Sequence, residues 1–285
     1  MSTTSTLLQV ERVSVRYTLR GAGLLAPARA LEALSDVSIA IPEGGRLGVV
    51  GESGSGKSTL ARVLLGLVRA QAGRVAWEGR TVDYDDATAM RSLRRELQVV
   101  FQDPFGSLDP RMTAGQVVGE ALQALAGPVA TVAAQDRIRA ALSEVGLAPA
   151  FANRYPHEMS GGQCQRVAIA RAIVARPRLL VCDEVVSALD VSVQAQIVNL
   201  LHELSERYQM SLLFISHNLA VVRHLCDDVA VLCQGRVVEQ GSRDAIFGDP
   251  QVQYTRELLA AVPEPNPTLQ RARIALAVNV SRVKR

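Results

Sequence analysis

An α/β fold with a mainly parallel sheet and a helical insertion in its middle is what this 285-residue chain predicts. Three observations carry that reading. Short apolar segments alternate with helix-periodic ones from residue 178 to 239. A glycine-rich segment, GESGSGKS at 51–58, lies directly between an apolar strand and a helix. Residues 105–176 are helix-periodic almost throughout, as an insertion into the α/β core would be. Hydrophobic residues at 48% and charged residues at 21% give an ordinary globular balance, with enough apolar side chains for a sizeable core.

Taken in order, residues 10–17 (VERVSVRY) alternate as a half-buried strand does, and 36–41 form a second strand. The Gly/Ala/Pro-rich stretch GAGLLAPARA at 21–30 reads as the loop between them. The turn PEGG at 42–45 leads into an apolar strand at 46–50, then the glycine-rich segment and a helix over 60–68 that Gly66 ends. Strands follow at 74–77 and 97–101. Helices are predicted at 113–125, 133–145 and 162–175, with Gly127-Pro128 and Gly146 as breaks. Alternation resumes with strand 178–182, helix 191–207, strand 211–215, helix 218–225 and strands 228–233 and 236–239. Pro263, Pro265 and Pro267 open a tail expected to hold little fixed structure.

Charge and composition narrow the function. The net charge of +3 comes from the tail, where Arg271, Arg273, Arg282, Lys284 and Arg285 follow the last acidic residue, Glu264. Without them 26 basic residues face 28 acidic ones, so the body is slightly acidic and nucleic acid is not expected as a partner. Aromatic residues at 4% also argue against a base-stacking surface. Cys164, Cys182, Cys226 and Cys233 show no ligand spacing and read as reduced, mostly buried thiols. No apolar run approaches the roughly 18 residues that span a bilayer. The N-terminus lacks the basic and apolar regions of a secretory signal, which predicts a cytoplasmic chain.

Three segments carry chemistry. GESGSGKS fits G-x-x-x-x-G-K-[ST]: Gly51, Gly54 and Gly56 let backbone N–H groups converge on phosphate oxygens, and Ser53 and Ser55 complete the loop. Lys57 is placed for the β- and γ-phosphates, Ser58 for Mg2+, and Thr59 extends the cradle. Only Lys57 and Lys284 are lysines, against 29 arginines, which makes the position of Lys57 informative. RLLVCDE at 178–184 is an apolar strand ending in two carboxylates, Asp183 for Mg2+ and Glu184 to polarise an attacking water. MSGGQCQRVAIARA at 159–172 starts a helix with Ser160 as cap and Gly161-Gly162 allowing close approach, a second place suited to an anion.

The set GESGSGKST, Gln102 in VVFQDP, MSGGQ, the strand ending Asp183-Glu184, SALD and the post-strand His217 resembles the ABC transporter ATPases from about residue 8 to 262. FQDPFGSLDPRMT, YPHEMSGGQ, SALDVSVQAQI and QYTRELLAAVPEP are similar to the oligopeptide/dipeptide (peptide/nickel) importer branch, and the lack of a C-terminal cysteine cluster to its second, shorter ATPase. The resemblance implies a phosphate-loop core, an N-terminal antiparallel β subdomain and a helical subdomain at about 105–176. The domain would span 7–262, with a branch-type segment at 242–265, a disordered 1–6 and a tail at 263–285. ATP and Mg2+ are the implied cofactors. By resemblance, Tyr17 stacks on adenine, Gln102 contacts Mg2+ or water and relays nucleotide state, and His217 senses the γ-phosphate and orients Glu184. Ser160, Gly161, Gly162 and Gln163 close over ATP bound to the opposite subunit, and Asp190 communicates across that interface.

The implied partners are a second ATPase subunit, of the same or a different kind, and two membrane permeases, with an extracytoplasmic solute-binding protein reached indirectly. Placement at the cytoplasmic face of a bacterial inner membrane follows, with 105–155 as the coupling surface. Three residues depart from the family pattern. Val185 replaces a proline and is expected to loosen the turn after Glu184. Cys164 replaces a long polar residue and would make a contact site redox-sensitive, and Val252-Gln253 replaces His-Pro. Peptides are the first-choice cargo and nickel or another small solute the second. A soluble ABC ATPase acting on DNA or ribosomes is the rival from another class, disfavoured because no long coiled coil separates the motifs.

Overall fold

The computed structural model describes residues 5–19, 29–127 and 130–261. In chain order, β1 (Thr6–Leu19) and β2 (Arg29–Pro42) are followed by β3 (Arg46–Val50), which passes through the glycine-rich segment into α1 (Lys57–Leu64). Next come β4 (Ala72–Trp77), β5 (Arg80–Thr81), α2 (Ala87–Glu96) and β6 (Leu97–Val100). The helical region comprises α3 (Ala114–Ala126), α4 (Thr131–Glu144), short 3-10 turns at Pro149–Asn153 and Pro156–Glu158, and α5 (Gly161–Ile173). The rest alternates as β7 (Leu179–Asp183), α6 (Val191–Tyr208), β8 (Ser211–Ile215), α7 (Leu219–Leu225) and β9 (Asp228–Cys233), then ends in β10 (Arg236–Ser242), α8 (Arg243–Gly248) and α9 (Gln253–Ala260).

Two sheets result. One is antiparallel, in the order β2-β1-β4-β5; the other has six strands in the order β10-β9-β3-β8-β7-β6, parallel except where β10 meets β9. Its central strands are buried on both faces, which explains continuous apolar runs such as LLVCD and SLLFI in place of alternation. The two faces nonetheless serve different cores. Leu180, Cys182, Leu212 and Phe214 pack with the helical region, whereas Leu179, Val181, Leu213 and Ile215 pack towards β1, β2 and α1.

Helix starts follow local chemistry. Thr113 and Gln116 form a reciprocal capping box at α3, and Ser160 and Gln163 repeat it at α5. Asp86 caps α2 by accepting from the N–H groups of Thr88 and Ala89. That helix was not expected from the sequence, because only Met90 and Leu93 on it are buried and its apolar stripe is too narrow to register. The helix expected at 60–68 begins earlier, at Lys57, and ends at Leu64. Both N-terminal strands are longer than predicted, since their register runs from Thr6 opposite Pro42 to Leu19 opposite Arg29. Ser5 and Thr6, assigned to a disordered terminus, are ordered here: the N–H of Glu43 donates to the Ser5 carbonyl at 2.9 Å. Most of the 21–30 loop and the tail from residue 263 lie outside the described residues.

Arg178, just before β7, ties the two sheets together at one edge. Its guanidinium reaches Glu43 at 2.7 Å, Glu78 at 2.6 Å and Glu96 at 3.4 Å. A half-exposed network of this kind is worth more than an isolated pair, but it is still screened by salt. Arg178→Gln should therefore lower unfolding stability by about 1 kcal/mol in dilute buffer. Urea titrations at low and high salt check this: the difference should shrink in high salt.

Candidate active site

Parallel pairing brings the carboxyl ends of β3, β8, β7 and β6 to one edge of the sheet: Val49 lies opposite Ile215, Asp183 opposite Ile215, and Val100 opposite Cys182. Segments leaving those ends converge, which is where open parallel sheets bind ligands. The chain after β3 is the glycine-rich loop, the one after β6 carries Gln102, β7 ends in Asp183 and Glu184, and His217 follows β8.

The loop is wedged in place. A Cβ on Gly51 would sit 2.1 Å from the Leu232 carbonyl oxygen, and one on Gly56 would sit 2.4 Å from that of Ala33. Gly56 also has φ +108°, which side chains resist, and it caps α1 directly. Lys57, 4% exposed, turns back on the loop, with Nζ donating to the carbonyls of Gly51 at 2.8 Å and Glu52 at 2.7 Å, and reaching Ser55 Oγ at 3.4 Å. Burial pushes its pKa down, while the charges of Glu184, Asp183 and Glu52 oppose that shift.

Ser58 Oγ donates to Asp183 Oδ1 at 3.1 Å. Burial raises the Asp183 pKa, the adjacent Glu184 raises it further, and the Ser58 hydrogen bond with the charges of Arg62 and Lys57 offsets this only in part. Glu184 adopts φ +51°, a left-handed conformation that a non-glycine residue holds at a cost. Hydrogen bonds hold it there. Its N–H donates to the Ile215 carbonyl at 2.9 Å, and its own carbonyl accepts from the Ser187 N–H at 3.1 Å and hydroxyl at 2.9 Å. The turn expected to be loosened by Val185 is thus tied on both sides, and Val185 itself is buried in the core. Glu184 Oε1 lies 3.4 Å from His217 Nδ1, which sets a carboxylate beside an imidazole.

A cleft of about 410 Å³ gathers Tyr17, Ser53, Gly54, Gly56, Lys57, Ser58, Thr59, Gln102 and Glu184. Leu31, Glu32 and Ala33 of β2 also line it and were missed, because the sequence places the second strand only from residue 36. Gly51 and Ser55 lie beneath as acceptors for Lys57, and Asp183 joins through Ser58. Ser160, Gly161, Gly162, Gln163 and Asp190 are not among the cleft-lining residues. They form a separate patch, where α5 starts against α6: a Cβ on Gly162 would sit 2.6 Å from Val193 Cγ1. Asp190 precedes α6 without its side chain capping it, and it is exposed. A larger groove of about 830 Å³ lies between α3 and α4 and holds none of the predicted site residues.

Cys164 overturns one expectation. It is fully buried, its thiol points at the Pro156 carbonyl at 3.6 Å, and burial raises its pKa, so it is shielded from redox chemistry.

Residues 34–187 match the family described as ABC transporter. The oligopeptide transport ATP-binding protein OppF of Salmonella typhimurium is 49% identical over 245 residues, covering 86% of this chain and 73% of its own length. The chain belongs to the ABC transporter family. OppF of Escherichia coli is 45% identical over 267 residues, or 93% of this chain and 80% of its own. Among solved structures, a dimeric ATP-binding cassette in a post-hydrolysis state with ADP and Pi superposes with a TM-score of 0.73 at 28% identity, covering 83% of this chain and 99% of its own. CbiO1 of Clostridium perfringens, part of an ABC transporter complex, gives a TM-score of 0.74 at 27% identity, covering 86% and 92%. This ABC transporter chain is an ATP-binding and ATP-hydrolysing subunit, and the antiparallel sheet, parallel core and helical region are those of an ABC ATPase cassette. No single helix among the described residues is long and apolar enough to cross a membrane.

The raised pKa of Asp183 has a consequence for stability. Its native state holds a proton more tightly than the unfolded chain, so stability falls as pH rises from the ordinary carboxylate range through the native pKa. At neutral pH the buried charge is a cost. Asp183→Asn should therefore raise the melting temperature of the nucleotide-free chain at pH 7, by about 2 °C per kcal/mol relieved. The gain should shrink as pH falls from neutral towards the ordinary carboxylate range, as the wild-type carboxyl takes up its proton. Calorimetry across that range checks the sign.

Proposed function

We propose that this chain powers an oligopeptide importer from the cytoplasmic face of a bacterial inner membrane, paired head to tail with a second ATPase subunit. The observation that carries the pairing is the division of the site: the phosphate loop, Asp183, Glu184 and His217 converge, while Ser160–Gln163 and Asp190 lie on another surface of the same chain. Two cassettes arranged head to tail would bring the second set over nucleotide held by the first. ATP then joins the subunits and hydrolysis releases them, a binding energy that drives a conformational cycle. The oligopeptide cargo is proposed from the OppF relatives. Two permease subunits would form the pore, contacted by the helical region at about 105–155, with a solute-binding protein delivering cargo outside.

Each residue has a role in that reading. Tyr17 stacks on adenine, and the loop from Gly51 to Thr59, with Lys57, holds the phosphates. The hydroxyl of Ser58, the carboxylate of Asp183 and the amide of Gln102 are hard oxygen donors that suit Mg2+. Bound Mg2+ supplies neutralisation of charge on the β- and γ-phosphate oxygens. Glu184 takes the proton of the attacking water, and His217 fixes the orientation of that carboxylate. The hydrogen bond from Ser58 keeps Asp183 next to a residue that lines the cleft.

Lys57→Ala should abolish ATP hydrolysis by the purified chain. Glu184→Gln should bind ATP while lowering turnover about 10²- to 10⁴-fold, and should accumulate as an ATP-bound dimer on gel filtration. Wild-type turnover by Glu184→Gln would remove Glu184 as the base. In cells lacking this chain, uptake of a labelled tripeptide should be lost and restored by wild type but not by Lys57→Ala. Unchanged peptide uptake with lost nickel uptake would reassign the cargo.

A further inference from the structure

The segment QYTRELLA forms α9, yet none of the roles above uses it. It lies against the phosphate loop. The backbone N–H of Glu52 donates to the Tyr254 hydroxyl at 3.3 Å, and the carbonyl of Glu52 accepts from Lys57 Nζ at 2.7 Å. The first residues of the loop are therefore held by α9 from one direction and by the lysine from the other.

α9 in turn hangs on the sheet. The Glu239 carboxylate on β10 accepts from the N–H of Gln251 at 2.7 Å and of Val252 at 3.2 Å, just ahead of the helix. Burial opposes the charge on Glu239, but the Thr255 hydroxyl, these two amides and Arg256 outweigh it and keep its pKa low. The Arg256 guanidinium closes the same turn on the carbonyls of Pro250 at 2.9 Å and Gln251 at 3.0 Å. Val252 and Gln253, where the family pattern has His-Pro, fit this arrangement. Val252 gives its N–H to Glu239, and Gln253 occupies the first helical position, where proline is favoured but not required.

An ammonium has three N–H donors, and here Gly51, Glu52 and Ser55 supply three acceptors. A phosphate oxygen that takes one of those donors weakens the hold of the lysine on the loop. The Tyr254 contact is made to the N–H side of Glu52 and is independent of that exchange.

We propose that Tyr254 is a positioning residue for the phosphate loop, and that α9, hung on Glu239, is a strap that keeps Glu52 in place while nucleotide competes for Lys57. The proposal rests on residues 51–58 being the phosphate site.

The test compares wild type, Tyr254→Phe and Glu239→Gln as full chains, with a fluorescent ATP analogue and Mg2+ as the probe. Because Lys57 still holds Glu52 in the free chain, loss of the hydrogen bond should cost more in the nucleotide-bound state. Affinity should be roughly 2- to 10-fold weaker in Tyr254→Phe, with only a small fall in the melting temperature of the nucleotide-free chain. Glu239→Gln should weaken binding in the same direction. Hydrogen exchange should accelerate over residues 50–56 in nucleotide-bound Tyr254→Phe and stay unchanged in β8. Wild-type affinity and exchange in Tyr254→Phe would overturn the proposal. If that variant loses stability as well as affinity, faster exchange confined to 50–56 supports the strap, whereas faster exchange throughout α9 and β9 overturns it. A wild-type chain that fails to bind the probe would overturn the phosphate-site reading and the strap with it.

Discussion

The glycine-rich loop is held by backbone approaching backbone, and both sheets are needed to make the contact. Gly51 faces the Leu232 carbonyl at the end of β9, and Gly56 faces the Ala33 carbonyl in β2. The turn after β9 also contributes, since the Gly235 N–H donates to the Ser55 carbonyl at 2.9 Å. A side chain at either glycine would push the loop off one of the sheets. The antiparallel sheet is thus more than a cover for the core: it forms one wall of the cleft and, through Arg178, stays registered to the strands that carry the acidic residues.

Within that frame the site stores electrostatic and conformational cost. Asp183 and Glu184 are adjacent carboxylates at a buried strand end, and Lys57 gives its hydrogen bonds to loop carbonyls and Ser55 and none to a carboxylate. Glu184 adds a left-handed backbone pinned by Ile215 and Ser187. A surrounding structure that over-determines a strained residue is the usual condition for such strain to persist. In the proposed function, nucleotide phosphates and a divalent cation would supply the complementary charges.

The loop is also linked outwards. From Glu52 the connection runs to Tyr254, and the turn leading into α9 is held by Glu239 on β10. From Gln102 it runs along the following loop, where the Arg171 guanidinium of α5 donates to the Ser107 carbonyl at 2.5 Å. That second link joins the loop of Gln102 to the helix that Ser160 caps.

The sequence by itself determined the family, the fold class and most of the element order. Glycine spacing before Lys57, an apolar run ending in Asp183-Glu184, and a serine three residues before a glutamine at a helix start are local patterns, each dictated by what a few adjacent residues must do. It did not reveal α2, whose apolar stripe is only two buried residues, Met90 and Leu93, nor the true extent of β2 and with it one wall of the cleft. It offered Cys164 both as a buried, reduced thiol and as a redox-sensitive contact residue, and its full burial decides for the first. Tertiary structure alone decided what meets across long separations: Ser58 with Asp183, Glu184 with His217, Glu52 with Tyr254, and the two close approaches at Gly51 and Gly56. The physical reason is that local patterns record the needs of one segment, whereas these contacts depend on sheet order and register, which are set jointly by all the strands at once.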